Sequence, residues 1–236
     1  ASIVLFDGSP FYPDGSVLLK MAEELDITIF GTSAKYISSL ESFKVKPNEI
    51  SSFPKLRIIL STGSPLVEEN FDFVYREWKE DVQLASISGG TDIISCFVLG
   101  NPILPVRRGE IQCRGLGMKV EAYNEFEESE INSKGELVCT QAFPSMPIYF
   151  WNDTDGQQYH LAYFNTYLDI WHHGDYLEIN DCGGVKIYGR SDTTLNPGGV
   201  RIGTAEIYQM VERFSEVEDS LAIGQPWEND ERIILF

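Results

Sequence analysis

A chain of 236 residues with 43% hydrophobic and 12% aromatic side chains is large and apolar enough to bury a core. Its 36 acidic and 18 basic residues give a formal net charge of -18, the wrong sign for a phosphate backbone, so no nucleic-acid partner is expected. The apolar runs are shorter than the roughly 20 residues of a membrane span, and none is predicted. The 4 cysteines are far apart in sequence, which favours neither a zinc site nor a disulfide framework and predicts a reducing, cytoplasmic location.

Residues 1–93 predict an α/β fold with a mostly parallel sheet and flanking helices. Apolar runs bounded by turn residues alternate with segments whose apolar residues recur at helical spacing. Alternation of this kind favours parallel strands joined by helices. The segments are, in order, ASIVLFDG, DGSVLLKMAEELD, DITIFGTS, SAKYISSLES, KLRIILSTG, PLVEENFDFVYREWKED and VQLASIS.

Residues 94–191 contain short strand-like segments broken by glycine and proline, which predicts an antiparallel, β-rich subdomain that completes a large domain over 1–191. Residues 192–236 predict a hinge and the start of a small α+β domain, with the helix TAEIYQMVERF and the strands DSLAIGQP and ERIILF. Both ends of the sequence are strand-like runs, and strands away from an edge need two neighbours. We therefore expect part of the sheet to lie outside this sequence.

Two glycine-rich turns follow predicted strands, where open α/β sheets bind their ligands. STGSPL precedes a helix, so its backbone amides could meet an anion or a flat ring, although an ordinary turn explains it equally well. In SISGGTDII, Gly89 and Gly90 allow close approach of a ligand, Thr91 offers a hydroxyl to phosphate, and Asp92 offers a hard oxygen to Mg2+. A hairpin turn would explain GGTD as well.

Two further turns carry charge. In WHHGDY, Asp175 is well placed to accept two ribose hydroxyls, whereas His172 and His173 point to opposite faces of a strand and so do not predict a metal pair. In GRSDTTLNPGGVRIGTAEIY, charged residues adjoin a glycine-rich stretch, as expected of a hinge beside an anion. The alternative for that segment is a solvated loop with an incidental ion pair.

Taken together, the series STGSPL, SGGTD, GELV, HGDY and GRSDTTLNPGGVRIGTAEI resembles, in order and spacing, the motifs of the adenylate-forming enzymes. That superfamily includes acyl-CoA synthetases, firefly luciferase and the adenylation domains of peptide synthetases. Within it, GTSAKYI, SGGTDI and LNPGGVRIGTAEIY are most similar to the branch that joins acetoacetate to coenzyme A, and the likeness runs along essentially the whole chain.

The resemblance implies a nucleotide site. Gly63, Ser64 and Pro65 match the motif that lies against adenine. Asp175 matches the carboxylate that binds the ribose hydroxyls, and Arg190 matches an arginine that contacts the ribose from the hinge side.

It also implies residues for the phosphate and for domain rotation. Thr91 matches the threonine that contacts the AMP phosphate, and Asp92 matches a Mg2+ ligand that is usually glutamate, so its shorter side chain leaves the metal geometry open. Asp192 matches the hinge residue, Gly199 the glycine that lets the pantetheine tunnel form, and Arg201 an arginine that meets the adenylate phosphate.

The implied activity is an ATP- and Mg2+-dependent acid–CoA ligase that forms an acyl-adenylate and releases pyrophosphate, after which the CoA thiol displaces AMP. Acetyl-CoA synthetases carry tryptophan where this chain has Gly89, which permits a larger acid such as acetoacetate. The alternatives are a ligase for acetate or another short or branched acid, a non-catalytic nucleotide-binding module, and a β-rich interaction domain. The family's phosphate loop and C-terminal lysine are not among these 236 residues, so we expect the chain alone to be inactive.

Overall fold

The computed structural model describes residues 2–195, 197, 202–211, 213–214, 216–217, 219–227 and 230–236. The chain forms two compact units, one up to Ala85 and one from Ser86 onward. Among the described residues, none of the helices is long and apolar enough to cross a membrane.

The first unit is built on a three-stranded sheet in the order β1-β2-β3. The strands are β1 (Ile29–Ser33), β2 (Ile58–Thr62) and β3 (Gln83–Ser86), and the helices are α1 (Val17–Glu24), α2 (Ala34–Ser42), α3 (Pro47–Ile50) and α4 (Glu68–Phe73), which continues as a π-helical turn over Val74–Trp78. β1 and β2 run parallel. The predicted α/β arrangement is therefore confirmed for this part of the chain.

Local sequence explains how these elements form. The Ser33 hydroxyl accepts a hydrogen bond from the Tyr36 amide at 3.1 Å and caps the start of α2. The buried face of α2 includes Ile37 and Leu40, spaced for one side of a helix. Phe30 of β1 packs edge-on against Trp78 with ring centroids 5.3 Å apart, which joins the sheet to the π-helical turn.

The strand predicted at the N-terminal run ASIVLFDG is wrong. Residues 2–7 form no helix or strand, and Ile3 and Leu5 are largely exposed. An apolar, β-branched run favours extended backbone, but a strand forms only where a neighbour supplies hydrogen bonds, and among the described residues none pairs with this run.

The second unit contains two larger antiparallel layers, as the β-rich prediction for residues 94–191 requires. One sheet has the order β4-β5-β6 and the other β10-β9-β8-β7. Their strands are β4 (Ser88–Gly90), β5 (Ser95–Leu99), β6 (Cys113–Arg114), β7 (Val120–Tyr123), β8 (Lys134–Cys139), β9 (Trp171–Ile179) and β10 (Val185–Arg190), and helix α5 spans Gln157–Tyr163. Residues of both sheets, including Phe97, Leu137 and Trp171, belong to one hydrophobic core.

The remaining elements follow β10. A 3-10 turn covers Ser191–Thr193, helix α6 covers Thr204–Val211, and β11 (Ala222–Trp227) pairs antiparallel with β12 (Asp230–Leu235). The helix and the two strands predicted for this region are confirmed. The domain boundary expected at residues 191 and 192 stays a prediction.

Candidate functional site

Asp175 and Arg190 lie opposite each other on neighbouring strands. The register pairs Arg190 of β10 with Asp175 of β9, and Arg190 Nη1 is 3.4 Å from Asp175 Oδ1. Asp175 is buried, with a side chain 10% exposed, whereas the Arg190 side chain is 50% exposed. Arg190 Nη1 also donates to the His173 carbonyl at 2.9 Å. The sheet thus presents a buried acceptor beside a cation that reaches solvent.

Gly174 makes room for that guanidinium. Its φ is +79°, in the left-handed region that favours glycine, and a Cβ at this position would lie 2.7 Å from Arg190 Nη2. The glycine of the HGDY segment is therefore required both by its own backbone and by the arginine of the next strand.

Arg190 contacts a second carboxylate beyond β10. Its Nε lies 3.4 Å from Oδ1 of Asp192, whose side chain is exposed in the 3-10 turn. One arginine thus bridges the buried Asp175 and the residue that the sequence assigns to the hinge.

Strand β4 joins this group from the other sheet. The Ser88 hydroxyl donates to Asp175 Oδ2 at 3.1 Å. The β4–β5 register shifts between Ser88 and Gly89, and a Cβ at Gly89 would overlap the Ser95 carbonyl. The close approach of β5 therefore requires glycine at position 89, whichever acid the protein binds. The proposed effect of Gly89 on the size of the acid stays a prediction.

Asp92 lies in the turn after β4, where Tyr163 of α5 donates a hydrogen bond to its Oδ2. The Tyr163 ring stacks on Trp171 at 3.6 Å with planes 14° apart, which fixes the direction of the phenol. Burial, and next the bond to Asp92, raise the pKa of Tyr163, so the phenol stays a donor at neutral pH. Thr91 precedes Asp92 and is exposed.

Asp92 could bind Mg2+ together with substrate phosphates and water. In the part of the chain that the structure describes, no three His, Cys, Asp or Glu side chains cluster so as to hold an ion. Mg2+ is often bound by one or two carboxylates, with substrate phosphates and water completing its shell. A single exposed carboxylate such as Asp92 fits that mode and does not fit an all-protein metal cage.

The other predicted site residues lie elsewhere. Gly63, Ser64 and Pro65 form the loop between β2 and α4 in the first unit, and Gly63 has a φ of +89°. Gly199 and Arg201 fall outside the described residues.

Sequence reasoning did not assign a role to His173, which contacts both segments of the cluster. Its Nε2 lies 3.2 Å from the Gly89 carbonyl oxygen and 3.8 Å from Asp175 Oδ2. His172 instead contacts Glu136, with Nε2 to Oε2 at 3.2 Å, so the two histidines have separate partners, as strand alternation predicts. The available signal was the i, i+2 spacing of His173 and Asp175 on one strand.

No family model matches the chain. It is 56% identical over 236 residues to the acetoacetyl-coenzyme A synthetase of Rhizobium meliloti (strain 1021) and 51% identical over 238 residues to that of Mus musculus. Both alignments include 100% of this chain, but only 36% of the first relative and 35% of the second. The chain thus spans about a third of the length of these curated relatives.

Two solved structures are similar to the fold described above. The acetoacetyl-CoA synthetase from Streptomyces lividans matches with a TM-score of 0.85 and 42% identity, over 92% of this chain and 34% of that one. The anthranilate CoA ligase AuaEII, solved in complex with anthranoyl-AMP, matches with a TM-score of 0.79 over 100% of this chain and 43% of that one, and at 18% identity it supports the fold alone.

Proposed function

We propose that this chain, a homologue over its whole length of one segment of the acetoacetyl-CoA synthetases, is part of an ATP-dependent ligase that joins acetoacetate to coenzyme A. The observation that carries the proposal is the 56% identity, which extends over all 236 residues. The acetoacetate carboxylate attacks the α-phosphorus of ATP and pyrophosphate leaves; the thiol of CoA then attacks the acyl carbon of the adenylate and AMP leaves. The products are acetoacetyl-CoA, AMP and pyrophosphate.

Asp175 and Arg190 are assigned to the ribose. A buried, ionised carboxylate accepts hydrogen bonds from two neighbouring hydroxyls, and burial makes each bond stronger than it is in water. The exposed face of the Arg190 guanidinium remains available to a ligand while its Nη1 holds Asp175 in place. Gly63, Ser64 and Pro65 are assigned to the adenine ring.

The turn after β4 is assigned to the phosphate. Gly89 and Gly90 let the backbone approach the α-phosphate, and the exposed Thr91 hydroxyl donates to it. Asp92 would hold Mg2+, which, when bound, neutralises negative charge on the phosphates. Because the reaction depends on positioning and charge neutralisation, the site needs no acid–base pair.

Three further residues are assigned to the phosphate, the tunnel and the rotation between half-reactions. Arg201 is placed at the adenylate phosphate and Gly199 at the pantetheine tunnel. Asp192 is placed at the hinge between a large domain ending at residue 191 and a small domain from residue 192. We further propose a cytoplasmic enzyme whose partners are small molecules and not nucleic acids.

Acid-dependent exchange of labelled pyrophosphate into ATP by the full-length protein tests this proposal. Acetoacetate, acetate, propionate and butyrate are compared at equal concentration. The strongest exchange is expected with acetoacetate. Exchange strongest with another acid would overturn the substrate assignment, and AMP binding without exchange would favour a non-catalytic nucleotide-binding module.

A further inference from the structure

The His173 side chain lies between β4 and β9 with little of its surface exposed. It is 9% exposed, and its ring packs edge-on against Phe97 with centroids 4.8 Å apart. Nε2 faces the Gly89 carbonyl at 3.2 Å and Asp175 Oδ2 at 3.8 Å. One imidazole therefore contacts the glycine strand and stands beside the buried carboxylate.

The backbone around this ring matches its shape. A Cβ at Gly90 would come within 3.0 Å of His173 Cε1, so the imidazole fills the space that a side chain at residue 90 would need. The backbone carbonyl of His173 accepts a hydrogen bond from Arg190, so the backbone of the residue is held as well as its ring. Strands β4, β9 and β10 are thus connected through a single histidine.

The contact with Gly89 fixes which nitrogen of the neutral imidazole carries the hydrogen. A carbonyl oxygen can only accept, so Nε2 carries the hydrogen that points to Gly89. Nδ1 is buried and has no hydrogen-bond partner among the described residues, so a second proton there would lack an acceptor. Burial lowers the pKa of His173; the charge of Asp175 and the hydrogen bond to Gly89 oppose that shift, and Arg190 and His172 add to it.

We propose that His173 is a positioning residue that sets the separation between the glycine strand and Asp175, and hence between the phosphate and ribose parts of the nucleotide site. This rests on the proposed function, because those two parts are assigned there. The Ser88–Asp175 hydrogen bond is a second link between the same strands, and it runs in parallel with the one through His173. A nucleotide that contacts both strands binds best when their spacing is already fixed, since less conformational freedom is then lost on binding.

Calorimetric binding of AMP to the full-length protein tests this inference with two variants of His173. His173→Phe keeps a flat ring but removes the donor to Gly89, and we expect it to raise the Kd of AMP by about tenfold, the effect of losing one buried hydrogen bond. His173→Gln keeps an N–H donor and is expected to restore most of the affinity. His172→Gln, changed on the neighbouring residue that contacts Glu136, is the control and should bind AMP as the wild type does.

The pH dependence of AMP affinity separates a positioning role of His173 from a purely structural one. AMP affinity of the wild type should fall as the pH is lowered below 6.5, because protonation puts an unpaired N–H at the buried Nδ1, whereas His173→Gln should lack that part of the dependence. This comparison still decides the matter if His173→Phe fails to fold. Identical profiles, or His173→Phe binding as tightly as the wild type, would overturn the inference alone. A folded wild type that shows neither AMP binding nor exchange would overturn the proposed function, and the inference with it.

Discussion

The ammonium group of Lys134 lies 2.8 Å from Oε2 of Glu206, and this ion pair joins β8 to helix α6 on the far side of the proposed hinge. The same ammonium lies 4.2 Å from the centroid of the Tyr188 ring. Glu206 also accepts from the Gly203 amide through its other oxygen, at 3.0 Å. Helix α6 is thereby held to the sheet by a contact that the proposed rotation about Asp192 would break.

Replacing Lys134 by methionine should loosen α6 without unfolding the protein. Both partners are 33% exposed, so the pair is worth no more than about 1 kcal/mol. Amide hydrogen exchange over 204–211 should become severalfold faster, while the free energy of unfolding changes little. Lys119→Met, which removes the 3.7 Å pair with Glu121 on β7, is the matched control. Equal exchange of α6 in wild type and Lys134→Met would show that the pair does not hold the helix.

Asp175→Asn should weaken nucleotide binding while preserving the shape of the site. The change removes the charge that, in the proposed site, would strengthen bonds to the ribose hydroxyls, and we expect AMP affinity to drop roughly tenfold to hundredfold, or about 1.5–3 kcal/mol. Asp181→Asn makes the same chemical change at an exposed position in the β9–β10 turn and should leave the affinity unaltered. Calorimetry compares the two. Unchanged affinity in Asp175→Asn would remove the ribose assignment.

Tyr163→Phe should increase the affinity of the nucleotide-bound site for Mg2+. The phenol donates to Asp92 Oδ2 and so competes with a cation for that oxygen. Because the second carboxylate oxygen is not engaged by this bond, the gain should be severalfold, below the factor of about ten for a full hydrogen bond. The midpoint of a Mg2+ titration of ATP binding measures it.

Tyr159→Phe is the control for that experiment. It removes a phenol from the same helix, but this phenol donates to the Pro147 carbonyl and not to Asp92. A midpoint that moves equally in both variants would trace the effect to helix α5 in general and contradict a specific role for Tyr163.

Gly174→Ala should lower both stability and nucleotide affinity. A positive φ costs alanine about 1–2 kcal/mol, and the new Cβ would displace the Arg190 guanidinium. Gly183→Ala separates the two effects, because Gly183 has a φ of +83° and nothing within 4 Å of an added Cβ. Thermal unfolding should show a loss in both variants, and AMP titration a loss in Gly174→Ala only. Equal affinities would mean that the position of Arg190 does not matter for binding.

The sequence was sufficient to predict the alternation of strands and helices from α1 to β3, since apolar periodicity and turn residues are local signals. The sequence also singled out Asp175 and Arg190, which the structure pairs across β9 and β10, while their roles stay predictions. Asp175 lies within β9 and not at the strand end that the motif predicts. The run ASIVLF misled because strand formation depends on a partner that local pattern does not show.

The side-chain contacts between distant segments could not be predicted. Tyr163 and Asp92 are 71 residues apart, and His173 and Gly89 are 84 apart. Such pairs are set by how β4, α5 and β9 pack, and no single segment encodes that packing. The close approach of the Ser95 backbone to Gly89 is local, but it could not be predicted either, because it arises from a register shift between two strands.

Product formation from acetoacetate, ATP, Mg2+ and CoA shows directly whether the protein is an acetoacetate–CoA ligase. The full-length protein and its Asp175→Asn variant are incubated with all four, and acetoacetyl-CoA and AMP are quantified by mass spectrometry. We expect the wild type to form both products in equal amounts and the variant to form them more slowly at low ATP. ADP in place of AMP, or no acyl-CoA from a folded full-length protein that binds ATP, would contradict the proposed function.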